Sequence, residues 1–120
     1  MKRIALVVLL LGVVLSLTQC DLFQLTLEYT ISGQSDNLII RFNDPDTGEI
    51  VDATASSPWT SGEFILYSGD EPFLAYIGVT NSDTSGGAGV RIQILEDGNM
   101  VNEIVNLPTG NSDYCISIIE

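Results

Sequence analysis

Leu25-Thr26-Leu27-Glu28-Tyr29-Thr30-Ile31 sets Leu25, Leu27, Tyr29 and Ile31 against Gln24, Thr26, Glu28 and Thr30. Successive side chains of an extended chain point to opposite faces, so this period of two makes one face apolar and the other polar. The stretch reads as a half-buried β-strand ending at Ser32-Gly33. Beyond Gln34-Ser35-Asp36 the alternation returns from Asn37 to Asn43, with Leu38, Ile40 and Phe42 on one face and Ile39, Arg41 and Asn43 on the other.

The pattern repeats to the end of the chain. Asp44-Pro45-Asp46-Thr47-Gly48 is a turn: proline fixes φ, the aspartates bond nearby backbone amides, and Gly48 accepts positive φ. Glu49 to Ala55 returns as the partner strand. Ser56-Ser57-Pro58 breaks the ladder and leads to Trp59, the only tryptophan. Extended runs follow at Glu63 to Tyr67 and Pro72 to Thr80, separated by Ser68-Gly69-Asp70-Glu71. Asn81 to Gly89, rich in Ser, Thr, Asp and Gly, is expected to be the most mobile loop. Val90, Ile92 and Ile94 resume the alternation, and Asp97-Gly98 predicts a two-residue hairpin turn into Asn99 to Val105. Leu107-Pro108-Thr109-Gly110 turns again, and Tyr114 to Ile119 closes the chain. Short extended runs between turn signals, with no helical periodicity among them, predict an all-β fold: an immunoglobulin-like antiparallel β-sandwich of about seven to eight strands. A Greek-key or small barrel is the runner-up.

The N-terminus carries a different signal. Met1-Lys2-Arg3 is basic, and Ile4 to Leu17 is uncharged, with Gly12 and Ser16 interrupting the aliphatics. This matches a secretory h-region and falls short of the roughly 20 apolar residues a membrane span needs. Leu17-Thr18-Gln19-Cys20 resembles the lipobox of bacterial lipoproteins, with Gln19 in place of the usual small residue. That resemblance implies cleavage before Cys20 and a diacylglyceryl group on its sulfur. The expected division is a signal peptide over residues 1–19, a lipidated N-terminus and short tether over 20–24, and a single domain over 25–120. Ordinary secretion after Ser16 is the alternative, and an uncleaved anchor a third.

Without residues 1–19 the 120-residue chain keeps 101 residues, enough for one small core. Of its basic residues only Arg41 and Arg91 remain, against all 16 acidic ones, a formal side-chain balance of −14. Such a field repels phosphate backbones, which argues against nucleic acid, and it attracts basic surfaces and cations. It also keeps a tethered domain hydrated. Histidine is absent and no lysine follows Lys2. The commonest general base, the commonest zinc ligand and Schiff-base chemistry are therefore missing, leaving carboxylate-pair chemistry as the catalytic option. No cofactor is expected.

Among single residues, Asp44, Asp46, Glu49 and Asp52 crowd one hairpin and offer hard oxygen ligands for calcium. The spacing does not fit an EF-hand loop, and turn formation accounts for the same residues. Trp59 reads as core before contact. Asp70-Glu71 and Glu96-Asp97 read as solvated turn tips, while Arg41 and Arg91 are expected to pair with carboxylates on outer sheet faces. Cys115 is expected to be buried near the last strand if Cys20 carries lipid; under plain secretion a Cys20–Cys115 disulfide becomes available instead.

The stretches Leu27-Glu28-Tyr29-Thr30-Ile31-Ser32-Gly33, Pro58-Trp59, Val90-Arg91-Ile92-Gln93-Ile94 before Asp97-Gly98, and a last strand containing Cys115 resemble the MmpS family of small envelope proteins. Members of that family accompany large RND-type transporters. Where the family tends to show Cys-Arg-Ile this chain has Val90-Arg91-Ile92, so Cys115 lacks the implied partner, and a lipobox-like Cys20 replaces an uncleaved helix. The resemblance implies an accessory role in the bacterial cell envelope. The expected protein is a lipid-anchored, non-catalytic interaction module with a membrane through its anchor and a protein as partners. The alternative is a lipoprotein that binds a cation, peptide or glycan through acidic loops. A carboxylate-dependent enzyme would require two acidic side chains facing one another across a cleft.

Overall fold

A computed structural model describes residues 24–67 and 71–120. Residues 1–19, expected as a signal peptide, Cys20 and the start of the expected tether lie outside the described residues, as do Ser68, Gly69 and Asp70. The strands are β1 (Gln24–Gln34), β2 (Leu38–Asp44), β3 (Glu49–Ala55), β4 (Trp59–Tyr67), β5 (Phe73–Asn81), β6 (Gly89–Glu96), β7 (Asn99–Leu107) and β8 (Ser112–Ile119). They form two antiparallel four-stranded sheets, ordered β4-β1-β6-β7 and β3-β2-β5-β8. The fold is the expected antiparallel β-sandwich, with eight strands. Hairpins β2–β3 and β6–β7 stay within one sheet, and every other connection crosses to the opposite sheet. Among the described residues, no helix is long and apolar enough to cross a membrane.

Alternation decides what enters the core. Leu27, Tyr29 and Ile31 of β1, Leu38, Ile40 and Phe42 of β2, and Val90, Ile92 and Ile94 of β6 are buried on the inner faces. Ala75, Ile77 and Val79 of β5 meet them, with Cys115 and Ile119 of β8. Burying each large aliphatic side chain contributes about 1.5–3 kcal/mol before chain entropy is counted. Trp59 packs at the edge of this core, with its ring 5.6 Å from that of Phe42, which also meets Tyr29 at 5.4 Å.

Tyr29 fastens one sheet to the other. Its hydroxyl donates to the Asn43 carbonyl at 2.7 Å and accepts from the Tyr76 amide at 3.3 Å, so β1 holds β2 and β5 through a single side chain. Burial pushes this phenol above its ordinary titration range. A buried hydroxyl without partners would be costly; this one has two.

The turns follow their chemistry. Asp97 and Gly98 both take positive φ, 53° and 80°, as a two-residue hairpin requires. In the 44–48 turn the Gly48 amide donates to the Asp44 carbonyl at 2.7 Å, and the Asp46 amide to Asp44 Oδ1 at 2.8 Å.

One strand and one loop depart from expectation. β4 begins at Trp59 itself, four residues before the expected Glu63, because Trp59 and Thr60 pair with Ile31 and Thr30 across a shift in register. The segment Asn81 to Gly89, expected to be the most mobile, has its two end residues inside β5 and β6, and 82–88 between them is laced to its neighbours. The Asp83 carboxylate accepts from the amides of Asp36 (2.9 Å), Ser85 (3.2 Å) and Gly87 (2.7 Å) and from the Ser85 hydroxyl (2.7 Å). Asp36 returns the contact by accepting from the amide and hydroxyl of Thr84. Beneath them Asn81 is fully buried, donating to the Leu107 carbonyl at 3.0 Å and accepting from the Ser35 hydroxyl at 2.8 Å. Composition marks such a segment as flexible, whereas its short polar side chains here satisfy the backbone of three adjoining loops.

Candidate functional site: the outer face of β3-β2-β5-β8

The two outer faces of the sandwich differ in where their exposed apolar side chains lie: on the β4-β1-β6-β7 sheet they belong to the edge strands, as Ile65 and Tyr67 of β4 and Met100, Val101 and Val105 of β7. On the β4-β1-β6-β7 sheet the central strands show Thr26, Glu28 and Thr30 beside Arg91 and Gln93, knitted by Thr60 to Glu28, Gln93 to Glu103 at 3.1 Å and Arg91 to Glu103 at 3.7 Å. On the β3-β2-β5-β8 sheet the exposed positions are largely apolar. Ile39, Ile50, Leu74, Tyr114, Ile116 and Ile118 all stand substantially in solvent, Ile118 at 62%. Register makes a strip of those on β5 and β8, where Leu74 lies opposite Ile118 and Tyr76 opposite Ile116, whereas Ile39 lies between Thr54 and Thr80 and Ile50 opposite Asn43. Scattered surface isoleucines are ordinary, but a contiguous strip on one sheet face makes a candidate interaction surface.

Toward the top of this face the chemistry changes. Gly78 sits in register between Arg41 on β2 and Tyr114 on β8, with no side chain of its own. The Tyr76 ring reaches over it, its hydroxyl 2.5 Å from where a Gly78 Cβ would stand. Tyr76 and Tyr114 are 6.0 Å apart between ring centroids. Arg41 and Asp52 form a fork, Nε to Oδ1 at 2.7 Å and Nη2 to Oδ2 at 3.4 Å, and the hydroxyls of Thr80 and Ser112 meet at 2.7 Å. Together these line an open groove of about 720 Å³, within the size range of ligand sites.

Several residues singled out in the sequence are now placed. The structure does not bring Asp44, Asp46, Glu49 and Asp52 together as a cation site. Asp44 is engaged by the turn, Asp52 is held by Arg41, and among the described residues no three His, Cys, Asp or Glu side chains gather. Arg41 and Arg91 pair with outer-face carboxylates, as expected. The hydrogen bond from Arg41 lowers the titration range of Asp52, opposite to the rise that a carboxylic general acid needs. Asp113, also beside the groove, accepts the Tyr114 amide at 2.8 Å. Cys115 faces inward at 3% exposure; burial, then the negative charges of Asp113 and Glu103, push its thiol up to about 11. A disulfide to it would require another cysteine to enter the core. The lipidation candidate Cys20 lies outside the described residues.

Sequence reading missed Tyr76, Gly78 and Tyr114. The available signal was in β5 and β8, where Phe73-Leu74-Ala75-Tyr76-Ile77 and Ile116-Ser117-Ile118-Ile119 carry apolar residues at both parities. A strand covered on one side needs only every second residue apolar. No protein-family model matches the chain, and no curated protein matches it in sequence.

Proposed function

We propose that this is a lipid-anchored, non-catalytic module of a bacterial cell envelope, which binds a protein partner through the outer face of β3-β2-β5-β8. The observation that carries the reading is the exposed apolar strip of Leu74, Ile116 and Ile118, with Ile50 on the far side of the same sheet. Strand direction adds to it. β1 begins at Gln24, and the Leu74–Ile118 pair lies toward the same end of the sandwich, where Leu25, Phe73 and Ile119 come together. Gln24 is four residue steps from Cys20, a span of at most about 14 Å, so a lipid on Cys20 would hold the strip close to the bilayer and to a membrane-embedded partner.

The acidic turns 44–49 and 96–97 point toward that end too, which suits a domain kept clear of anionic headgroups. The resemblance to MmpS proteins supports the same role, support of an envelope transport complex, through fold-level analogy. The alternative, ligand binding, draws on the groove at Gly78 rather than on the acidic loops first considered.

Two experiments test the reading. Intact mass of the membrane-fraction protein should show a diacylglyceryl-modified Cys20, and an unmodified cysteine contradicts the anchor. Co-purification in mild detergent should retain a stoichiometric protein that is lost with Ile118→Asp. Repeated isolation of the chain alone contradicts the partner.

A further inference from the structure

We propose that the groove at Gly78 is a binding site for an uncharged carbohydrate chain, separate from the protein-contact strip on the same face. Glycine in a central strand lowers stability relative to alanine and commonly marks a bulge or the close approach of a ligand or another backbone. Gly78 pairs in regular register on both sides, so no bulge accounts for it. What its missing side chain permits is the placement of Tyr76, whose ring extends across the strand beside Tyr114. The result is a two-ring aromatic platform on a sheet, open to solvent on one side.

The surrounding groups match a polyol. Sugars present apolar C–H faces, which pack on aromatic rings, and rows of hydroxyls that both donate and accept. The Arg41–Asp52 fork, with both side chains more than half exposed, offers spare guanidinium donors beside carboxylate acceptors. Thr80 and Ser112 add hydroxyls at the other margin, and Thr54, on β3 across Ile39, also lines the groove.

Charge narrows the ligand further. Arg41 and Asp52 neutralise one another within the groove and Asp113 adds a negative charge, so it offers no net positive charge to an acidic polymer, which the chain's net charge of −12 would also repel. The form is an open groove along a sheet rather than an enclosed cavity, which suits a segment of an extended chain more than a small molecule buried on all sides.

The test uses the full chain, ¹⁵N-labelled, in a detergent whose headgroup carries no sugar. It is titrated with tetra-N-acetylchitotetraose and cellotetraose as neutral probes, tetragalacturonate as an anionic one, and an uncharged aromatic tetrapeptide. Saturable amide shifts centred on Tyr76, Gly78 and Tyr114 with a neutral oligosaccharide are expected. Tyr114→Ala should weaken binding about tenfold and Tyr114→Phe less, with Ile118→Thr leaving it unchanged. No saturable shift from either neutral probe up to about 10 mM overturns the proposal. So does equal binding of tetragalacturonate, undiminished binding by a folded Tyr114→Ala variant, or saturation by the tetrapeptide alone. Because Ile118→Thr addresses the protein contact and Tyr114→Ala the groove, either reading can fail without the other.

Discussion

Tyr76 and Tyr114, on adjacent strands β5 and β8, hold their rings 6.0 Å apart at a tilt of 34°, above a glycine that contributes no side chain. This arrangement divides the outer face of β3-β2-β5-β8 into an aromatic, hydrogen-bonding half and the aliphatic half of Leu74, Ile116 and Ile118. The first prediction is that the aliphatic half serves contact rather than folding. Ile118→Thr keeps a β-branched side chain in an edge strand and should change unfolding free energy by no more than about 0.5 kcal/mol in denaturant titration. The same substitution, combined with Ile116→Thr, should reduce capture of the proposed protein partner. A large loss of stability would show that the strip belongs to the fold.

Tyr29 should behave in the opposite way. Tyr29→Phe leaves the ring in place but removes the hydroxyl that joins the Asn43 carbonyl to the Tyr76 amide. A loss of about 1–2 kcal/mol is expected, read as a lower denaturant midpoint at unchanged slope.

Acid should loosen the loops at the end of the sandwich away from Gln24. Hydrogen bonds, first from the Asp36 amide and then from the Ser85 hydroxyl, hold the Asp83 carboxyl far below the ordinary carboxylate range. A folded-state depression means that the contribution is fully present above the unfolded value of about 4 and is lost as pH falls toward the folded one. The melting temperature should therefore decline below about pH 4, and Asp83→Asn should lower it at about pH 7 more than at about pH 2. An equal effect at both pH values would remove Asp83 from the account.

The thiol of Cys115 gives an alkaline counterpart. Its folded value, pushed up to about 11 from an ordinary 9.0, favours the protonated native state. Its contribution is present below about 9 and is lost as pH rises through about 11. At about pH 8 the native thiol should resist a maleimide reagent that labels the unfolded chain rapidly. Fast labelling of the folded protein would contradict the inward placement of β8.

The fold was legible because the strand signal was repeated and local. Leu27, Tyr29 and Ile31, then Leu38, Ile40 and Phe42, announce their buried face through alternation alone, and Asp97-Gly98 announces its turn. The site was not legible in the same way. Tyr76, Gly78 and Arg41 come together only through the pairing of β2 with β5, and Tyr114 joins them through β5 and β8, which are separated by two further strands in the chain. Nothing in local pattern specifies which strands become neighbours. The ordering of the 82–88 segment was hidden for a related reason: Asp83 reaches the Asp36 amide across 47 positions of sequence.

The central claim is that one outer face of a membrane-held sandwich does the recognising, and photo-cross-linking in intact cells tests it most directly. A photoreactive residue is placed at Ile118 on the β3-β2-β5-β8 face, or at Thr26 on the opposite one. The account predicts a discrete protein adduct of fixed mass from position 118 and none from position 26. No adduct from position 118, or the same adduct from both, would contradict it.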